Sequence, residues 1–543
     1  MGLSAVCFWD GSLDRPQGVR VRGAKMGVDE ARGSAVLERE IPLSRSPLLC
    51  KMGEQCSKEP DKAMIITPER EITYREAYDL ALSLISVLHF EFRLDASSRI
   101  LMYLPNVVEV PSIIAAAQSL GCSLAFRAPS LIEYSLQNDV ALLRPNLVIV
   151  LDADSAAAAE STNVPILSLR GSMGRSVSLE VARARVPAVD PGSVVPHSQL
   201  DPEILLFSSG TTGTPKAIAN RMSSFTSNAF ELTAALEISS RDVLYVPVPF
   251  FHVYGFIGMV SAILRKATLS IVGKYTVERS RTLVDKAGVT VYFGVPTMFV
   301  REMNADTLRE NPPKTLRLCM MAGAECSPAT FERCEEYFGC PIVQSYGMTE
   351  TAATLTVEKP ESNEEVRKNG LGFPIAGVSL SIDDNSGEVL VKTPALMTRA
   401  ISGEYRESEI VDEDGWFHTG DIGFLDEEGR LHVTDRLKDL IVRGGLNVYP
   451  SQVERVFRDL AGVSECFAVG YPDAELGERV CLLVVPDGRA SITVEELRLF
   501  SKGKLEKGQY PDAIVYLEEA PCLPNGKPDK KAMREIAKQA AGL

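Results

Sequence analysis

Nine consecutive residues, Ser208-Ser209-Gly210-Thr211-Thr212-Gly213-Thr214-Pro215-Lys216, carry five hydroxyl side chains, two glycines and one lysine. Glycines let the backbone take positive φ and let a bulky ligand approach closely. Successive amides in such a turn make an anion-binding nest, to which the hydroxyls add donors and Lys216 a positive charge. That chemistry suits a polyphosphate. The stretch is not a Walker A loop, because Pro215 precedes Lys216 and Ala217 follows it where that motif needs Gly-Lys-Ser/Thr. Taken alone, it reads equally well as a surface turn with no ligand.

Further polar clusters follow along the chain. Phe250-Phe251-His252-Val253-Tyr254 places one imidazole among aromatic rings. Ala322-Gly323-Ala324-Glu325 follows an apolar run. Ser345-Tyr346-Gly347-Met348-Thr349-Glu350 puts a ring, a hydroxyl and a carboxylate in one loop. Trp416 to Asp421 precedes Asp435-Arg436-Leu437-Lys438. Then come Arg443-Gly444-Gly445 and, near the end, Pro524-Asn525-Gly526-Lys527. Singly, Asp421 and Glu350 also read as solvated loop carboxylates, Tyr346 and His252 as core residues, and Lys527 as one of several exposed tail lysines.

Positioning these groups falls to alternating strands and helices. Ile204–Phe207 reads as a buried strand before the first loop, and Met222–Leu236 as a helix after it. Regular structure is expected from about Ala63: a helix after Tyr74, a strand at Ile100–Leu104, and a helix at Val110–Leu120 ended by Gly121. Buried strands follow at Leu147–Leu151, Ile166–Leu169, Val243–Val246, Thr268–Val272 and Val289–Phe293. This alternation predicts an α/β fold with largely parallel sheets. From about 377 to 434 short alternating strands predict a β-rich subdomain. Beyond Asp435 the pattern is that of a separate α+β unit whose last strand is Ala513–Leu517. Residues 1–45 show no steady period and read as a poorly ordered extension or as sequence upstream of a start at Met26.

A chain of 543 residues is too long for one core, so two or more domains are expected. The net charge of −15 disfavours a nucleic-acid partner or an anionic membrane surface, so local groups must hold any anion. The most apolar window, Val243–Leu264, is broken by Pro247, Pro249, His252 and Gly255, which predicts a strand, a loop and a buried helix and no stable membrane insertion. Eleven cysteines without a Cys-x-x-Cys pair, and five scattered histidines, predict reduced buried thiols and no structural metal. A cytoplasmic protein is expected, and the C-terminal Ala-Gly-Leu is not a Ser-Lys-Leu address.

The order and spacing of these motifs resemble the adenylate-forming superfamily of acyl-CoA synthetases, firefly luciferase and peptide-synthetase adenylation domains, over roughly residues 46–543. The resemblance implies a large domain of stacked α/β sheets (46–434, with the β-rich subdomain at its end), a hinge at 435–438, and a small mobile lid domain (439–543). It implies that Ser208, Ser209, Gly210, Thr211, Thr212, Gly213, Thr214 and Lys216 hold the ATP phosphates. Gly323, Ala324 and Glu325 would line the purine edge, Tyr346 and Gly347 would pack on adenine, and Asp421 and Arg436 would take the ribose. Glu350 with Thr211 would bind Mg²⁺, a hard cation that prefers oxygen ligands. Thr349 would bond the α-phosphate.

The implied reaction has two halves. A carboxylate attacks the α-phosphorus of Mg·ATP to give acyl-AMP and pyrophosphate, and the thiol of CoA then displaces AMP. Lys527 would bring positive charge to the first step. Lys438 matches the hinge residue about which the small domain turns between halves, and Arg443-Gly444-Gly445 the loop that faces the site for thioester formation. His252, Tyr254, Val295, Gly323 and Tyr346 are candidate neighbours of the acid. Peptide-synthetase relatives keep an Asp near the first of these for the substrate ammonium. This chain has none in that segment, which disfavours amino acids and favours an apolar or aromatic acid.

Three positions depart from the family: Ala217 and Asp435 stand where Gly is usual, and a Gly-Tyr motif is degraded around Leu396–Tyr405. They leave open an acyl carrier protein phosphopantetheine as the acceptor in place of CoA. Against that stands the absence of the large-domain insertion of carrier-loading fatty-acyl ligases.

Overall fold

The computed structural model describes residues 46–189, 200–208, 216–305, 313–324, 326–401, 411–458, 460–488, 493–506, 508–522 and 528–542. The expectation for residues 1–45 lies outside them. The chain divides into two compact units, residues 1–290 with 397–403, and residues 291–396 with 404–543.

In the first unit an eight-stranded sheet runs in the order Arg399–Ile401, Lys216–Arg221, Glu203–Ser208, Ser123–Arg127, Arg99–Tyr103, Leu147–Val150, Ile166–Ser168, Val177–Ser178. Its central strands are mutually parallel and buried, so they read as unbroken apolar runs with no alternation. The helix Ile132–Leu143 packs Leu136 and Leu143 against Leu101, Val148 and Val150. Its Asp139 carboxylate is buried and takes Arg127 Nε at 2.7 Å, the Tyr103 hydroxyl at 2.5 Å and the Ser135 hydroxyl at 3.0 Å. A buried charge persists only with such partners. Strands Val243–Tyr245, Thr268–Ser270 and Ala63–Ile66 pair in parallel, with Glu71–Thr73 antiparallel at the edge. The helix Val110–Ser119 is buried along its whole length, and Gly121, at φ 76°, follows it in the left-handed region.

The second unit opens with parallel strands Val291–Gly294, Leu318–Ala322 and Ile342–Met348, then antiparallel Ala353–Val357 and Phe373–Pro374. A four-stranded antiparallel sheet follows: Ser379–Ile382, Glu388–Lys392, Phe417–Leu425, Leu431–Arg436. The last part is the α+β module. Strands Leu446–Val448, Ile441–Arg443, Gly477–Pro486 and Val463–Asp473 form a sheet with Ala513–Tyr516, against which Phe457, Leu497 and Met533 of three helices pack.

Three outcomes differ from the sequence reading. Regular structure begins before Ala63, at the helix Pro47–Lys58, capped by Ser46. Ser46 before Pro47, and Leu48, Leu49, Met52 and Gln55 buried at three- and four-residue spacings, are a helix signal that the sequence reading passed over. Arg399–Ile401 leaves the β-rich segment and pairs with Lys216–Arg221 in the eight-stranded sheet. Lys530, grouped with exposed tail lysines, opens the helix Lys530–Ala540 and bonds Glu454 at 2.5 Å.

Candidate active site

Strands Glu203–Ser208 and Lys216–Arg221 pair antiparallel with Ser208 opposite Lys216. The two ends of the glycine–threonine segment are thereby held side by side. Ser209, Gly210, Thr211, Thr212, Gly213 and Thr214 lie outside the described residues, as do the Ser208 side chain, Glu325 and Lys527. Ala217, the first departure from the family, is buried in the strand between Phe207 and Ile401.

His252 sits at the N-terminus of the helix Val253–Arg265, its ring 4.7 Å from that of Phe251. The preceding loop is pinned by a residue the sequence reading missed. Asn106, buried, donates to the Val248 carbonyl at 3.0 Å and accepts from the Phe250 amide at 2.8 Å. Gly255 is required because a Cβ there would lie 2.3 Å from the Pro249 carbonyl oxygen. Tyr254, in the first turn of the helix, is half-buried.

In the second unit, Gly323 at φ 87° ends the strand Leu318–Ala322, with Val295 Cγ1 3.5 Å from where a Cβ would stand. Ala324 follows it. The next strand delivers Tyr346 and Gly347, where a Cβ would fall 1.6 Å from the Ala353 carbonyl oxygen. Thr349 and Glu350 lie in the tight turn Thr349–Thr351, both half-buried. The turn closes through Ala352 and Ala353 at φ 52° and 97°, positive values that only strained non-glycine residues hold.

Tyr346 meets Asp421, and their bond organises this part of the site. The tyrosine hydroxyl donates to Asp421 Oδ2 at 2.6 Å, and Arg436 Nε lies 2.8 Å from Oδ1. Asp421 and Arg436 are cross-strand partners, which puts their side chains on one face. Burial first, then the Asp421 charge, pushes the Tyr346 hydroxyl well above the ordinary tyrosine range, so it stays a donor.

Past Arg436 the turn Leu437–Asp439 contains Lys438, whose ammonium is held below the ordinary lysine range by desolvation and then by Arg436. Arg534 donates to the Lys438 carbonyl at 3.2 Å and bonds Asp439 at 3.0 Å. Asp435, the second departure from the family, accepts from the Ser451 amide at 3.1 Å and from the Ser451 hydroxyl. Gly444 and Gly445, at φ 60° and 82°, form the two-residue link between strands Ile441–Arg443 and Leu446–Val448. Such hairpins need two positive φ values, so both glycines have a backbone reason. Arg443 pairs with Asp512 at 2.7 Å.

Among the described residues no group of three or more His, Cys, Asp and Glu could hold a metal ion, and no helix is long and apolar enough to cross a membrane. A single carboxylate such as Glu350 fits a Mg²⁺ that arrives with a nucleotide, since Mg²⁺ is usually bound by one or two carboxylates plus phosphates and water.

The model of the AMP-binding enzymes matches residues 52–399, and that of the AMP-binding enzyme C-terminal domain matches residues 452–527. The chain is 30% identical over 361 residues, 66% of its length, to the 3-[(3aS,4S,7aS)-7a-methyl-1,5-dioxo-octahydro-1H-inden-4-yl]propanoyl:CoA ligase of Rhodococcus jostii, of which it spans 68%. It is 27% identical over 499 residues, 88% of its length, to the oxalate–CoA ligase of Arabidopsis thaliana, of which it spans 96%. Two further relatives are spanned over 62% and 65% of their length. ATP-bound MatB from Rhodopseudomonas palustris superposes with a TM-score of 0.81 at 25% identity, covering 91% of this chain and 99% of that one. The chain belongs to the AMP-binding enzyme family, the adenylate-forming superfamily. Within it the chain is of the acyl- and aryl-CoA synthetase kind, an AMP-forming acid–CoA ligase.

Proposed function

We propose that the protein activates an apolar or aromatic carboxylic acid with Mg·ATP as an acyl-adenylate and transfers the acyl group to the thiol of CoA. The observation that carries this reading is the buried Asp421 carboxylate held between the Tyr346 hydroxyl and Arg436. A carboxylate fixed beside an aromatic ring is built to accept bonds from ribose hydroxyls while the ring takes the purine. Gly323 and Ala324 supply a strand end without bulk for the base edge, and Thr349 and Glu350 supply oxygen groups for the α-phosphate and Mg²⁺. Ser208 to Lys216 is the proposed phosphate segment.

In the first half-reaction two anions meet, so the transition state needs cations. Lys527 is the proposed donor of that charge, with Lys216 on the phosphates. In the second, the turn at Lys438 is the proposed pivot, and Arg443-Gly444-Gly445 the segment past which pantetheine enters. The segment Val248–Phe256, rich in apolar and aromatic residues and without a carboxylate, supports an acid without an ammonium group. The relatives' named acids, oxalate and a ring-bearing propanoate, differ widely from each other and do not narrow the choice.

ATP–pyrophosphate exchange across a panel of carboxylic acids tests the reading, followed by product analysis with CoA and with a phosphopantetheinylated carrier protein. The expected result is exchange dependent on one apolar or aromatic acid and an acyl-CoA product. Exchange with acyl transfer only to the carrier would replace CoA by the carrier as acceptor. No exchange with any acid would overturn the proposal.

A further inference from the structure

The strand that carries Asp421 does not pair evenly with its neighbour. Glu388 stands opposite Ile422 and Leu390 opposite His418, so the single residue between them on one strand, Val389, faces three on the other. That stretch, Thr419-Gly420-Asp421, bulges out of the ladder with Gly420 at φ 72°. Bulges of this kind re-aim side chains next to active sites, and the displaced backbone groups need new partners. Here they are supplied by side chains. Glu388 Oε1 accepts from the Gly420 amide at 2.7 Å, the Thr419 hydroxyl donates to the Val389 carbonyl at 2.7 Å, and the Asp421 amide donates to the Thr419 hydroxyl at 3.1 Å.

We propose that Glu388 is a positioning residue for nucleotide recognition: braced by His418, its carboxylate holds the Gly420 amide and so aims Asp421 at the ribose. The proposal rests on the reading of Asp421 as the ribose acceptor. Glu388 is 6% exposed, and a carboxylate so buried is held only by strong partners. Its second oxygen lies 2.8 Å from His418 Nδ1, while His418 Nε2 lies 3.7 Å from Asp412. The Glu388 bond, and then the charges of Glu388 and Asp412, raise the histidine above its ordinary range. The Asp383 carboxyl is held low by Ser386 and, least of its causes, by the charge of His418. Two carboxylates beside one imidazole favour the imidazolium, whose bond to Glu388 Oε2 fixes that side chain in place. Nothing in the stretch Glu388-Val389-Leu390-Val391-Lys392, three apolar residues between two charged ones, sets this glutamate apart from one facing solvent.

The test compares kcat/KM for ATP with that for 2′,3′-dideoxy-ATP in acid-dependent adenylation by the full chain. A carboxylate aimed at both hydroxyls gives the unaltered protein a preference for ATP of about tenfold or more. Glu388→Ala is expected to cut that preference to about threefold or less by raising the KM for ATP far more than that for the dideoxy analogue. Glu388→Gln, which keeps an acceptor for the Gly420 amide, is expected to restore most of it. An alanine variant that weakens both nucleotides equally, with the preference intact, would overturn the proposal. Should Glu388→Ala not fold, His418→Ala decides: a reduced preference supports the brace and an unchanged one overturns it. An unaltered protein with no preference would instead remove the ribose reading of Asp421 on which all this rests.

Discussion

Tyr346 and Asp421, 75 positions apart, are joined by a 2.6 Å hydrogen bond in which the phenol donates to the carboxylate. Arg436 occupies the other carboxylate oxygen. One residue proposed for the base and two proposed for the sugar are thus a single hydrogen-bonded unit. Asp421→Ala is expected to raise the KM for ATP by roughly 10–100-fold, the loss of hydrogen bonds to a charged group. Tyr346→Phe keeps the ring and is expected to cost about fivefold or less, because Arg436 still orients the carboxylate. Initial rates against ATP concentration check both. A phenylalanine variant as impaired as the alanine one would show that the hydroxyl, not the ring, is what matters.

Asp435 gives a pH dependence. Burial, then Glu454, push its carboxyl up from 3.8 to about 6. Between those values the folded chain holds a proton that the unfolded chain releases, so this group's contribution to stability falls as pH rises from about 4 to 6 and is flat above. Asp435→Asn should therefore gain stability relative to the unaltered protein between pH 4.5 and 7.5, by about 1–2 kcal/mol after allowing for solvent screening. Urea unfolding at the two pH values measures it. Parallel pH profiles for the two proteins would show that Asp435 titrates normally.

Much of the fold is legible because local pattern and tertiary role agree. The helix Met222–Ala235 and the strand–loop–helix reading of the window from Val243 to Leu264 follow from hydrophobic period and from where proline and glycine fall. Pairing between distant segments is not legible. Nothing in Arg399–Ile401 says that it joins the edge of a sheet 180 residues back, because pairing is a property of two segments and sequence period belongs to one. The site divides the same way. The motif order pointed to Asp421 and Tyr346, but their bond, and the roles of Asn106 and Glu388, arise only when distant segments meet. Asn106, three residues past the strand Arg99–Tyr103, carries no pattern at all.

Lys527, outside the described residues, is the proposed cation of the adenylation step. Lys527→Ala is expected to lower acid-dependent pyrophosphate exchange by roughly 10²–10³-fold, the usual size of losing one such group. Thioester formation from supplied acyl-AMP should be much less affected. Near-normal exchange in the variant would refute the assignment.

Lys438 is the proposed pivot. Its φ is one of the few that a rotation there would have to change, and proline fixes φ near −65°. Lys438→Pro is expected to keep acyl-AMP formation within about tenfold while thioester formation falls by roughly 10²-fold or more. Single-turnover measurements of each half-reaction separate the two. Equal loss in both would count against a pivot.

Attack of a carboxylate on the α-phosphorus leaves one carboxylate oxygen on AMP once CoA has displaced it. The most direct measurement is therefore to run the full reaction with the acid labelled in both carboxyl oxygens with oxygen-18 and to weigh the products. The account predicts one labelled oxygen in AMP and none in pyrophosphate. Label in inorganic phosphate, with ADP as the nucleotide product, would mean activation through an acyl phosphate and would contradict it.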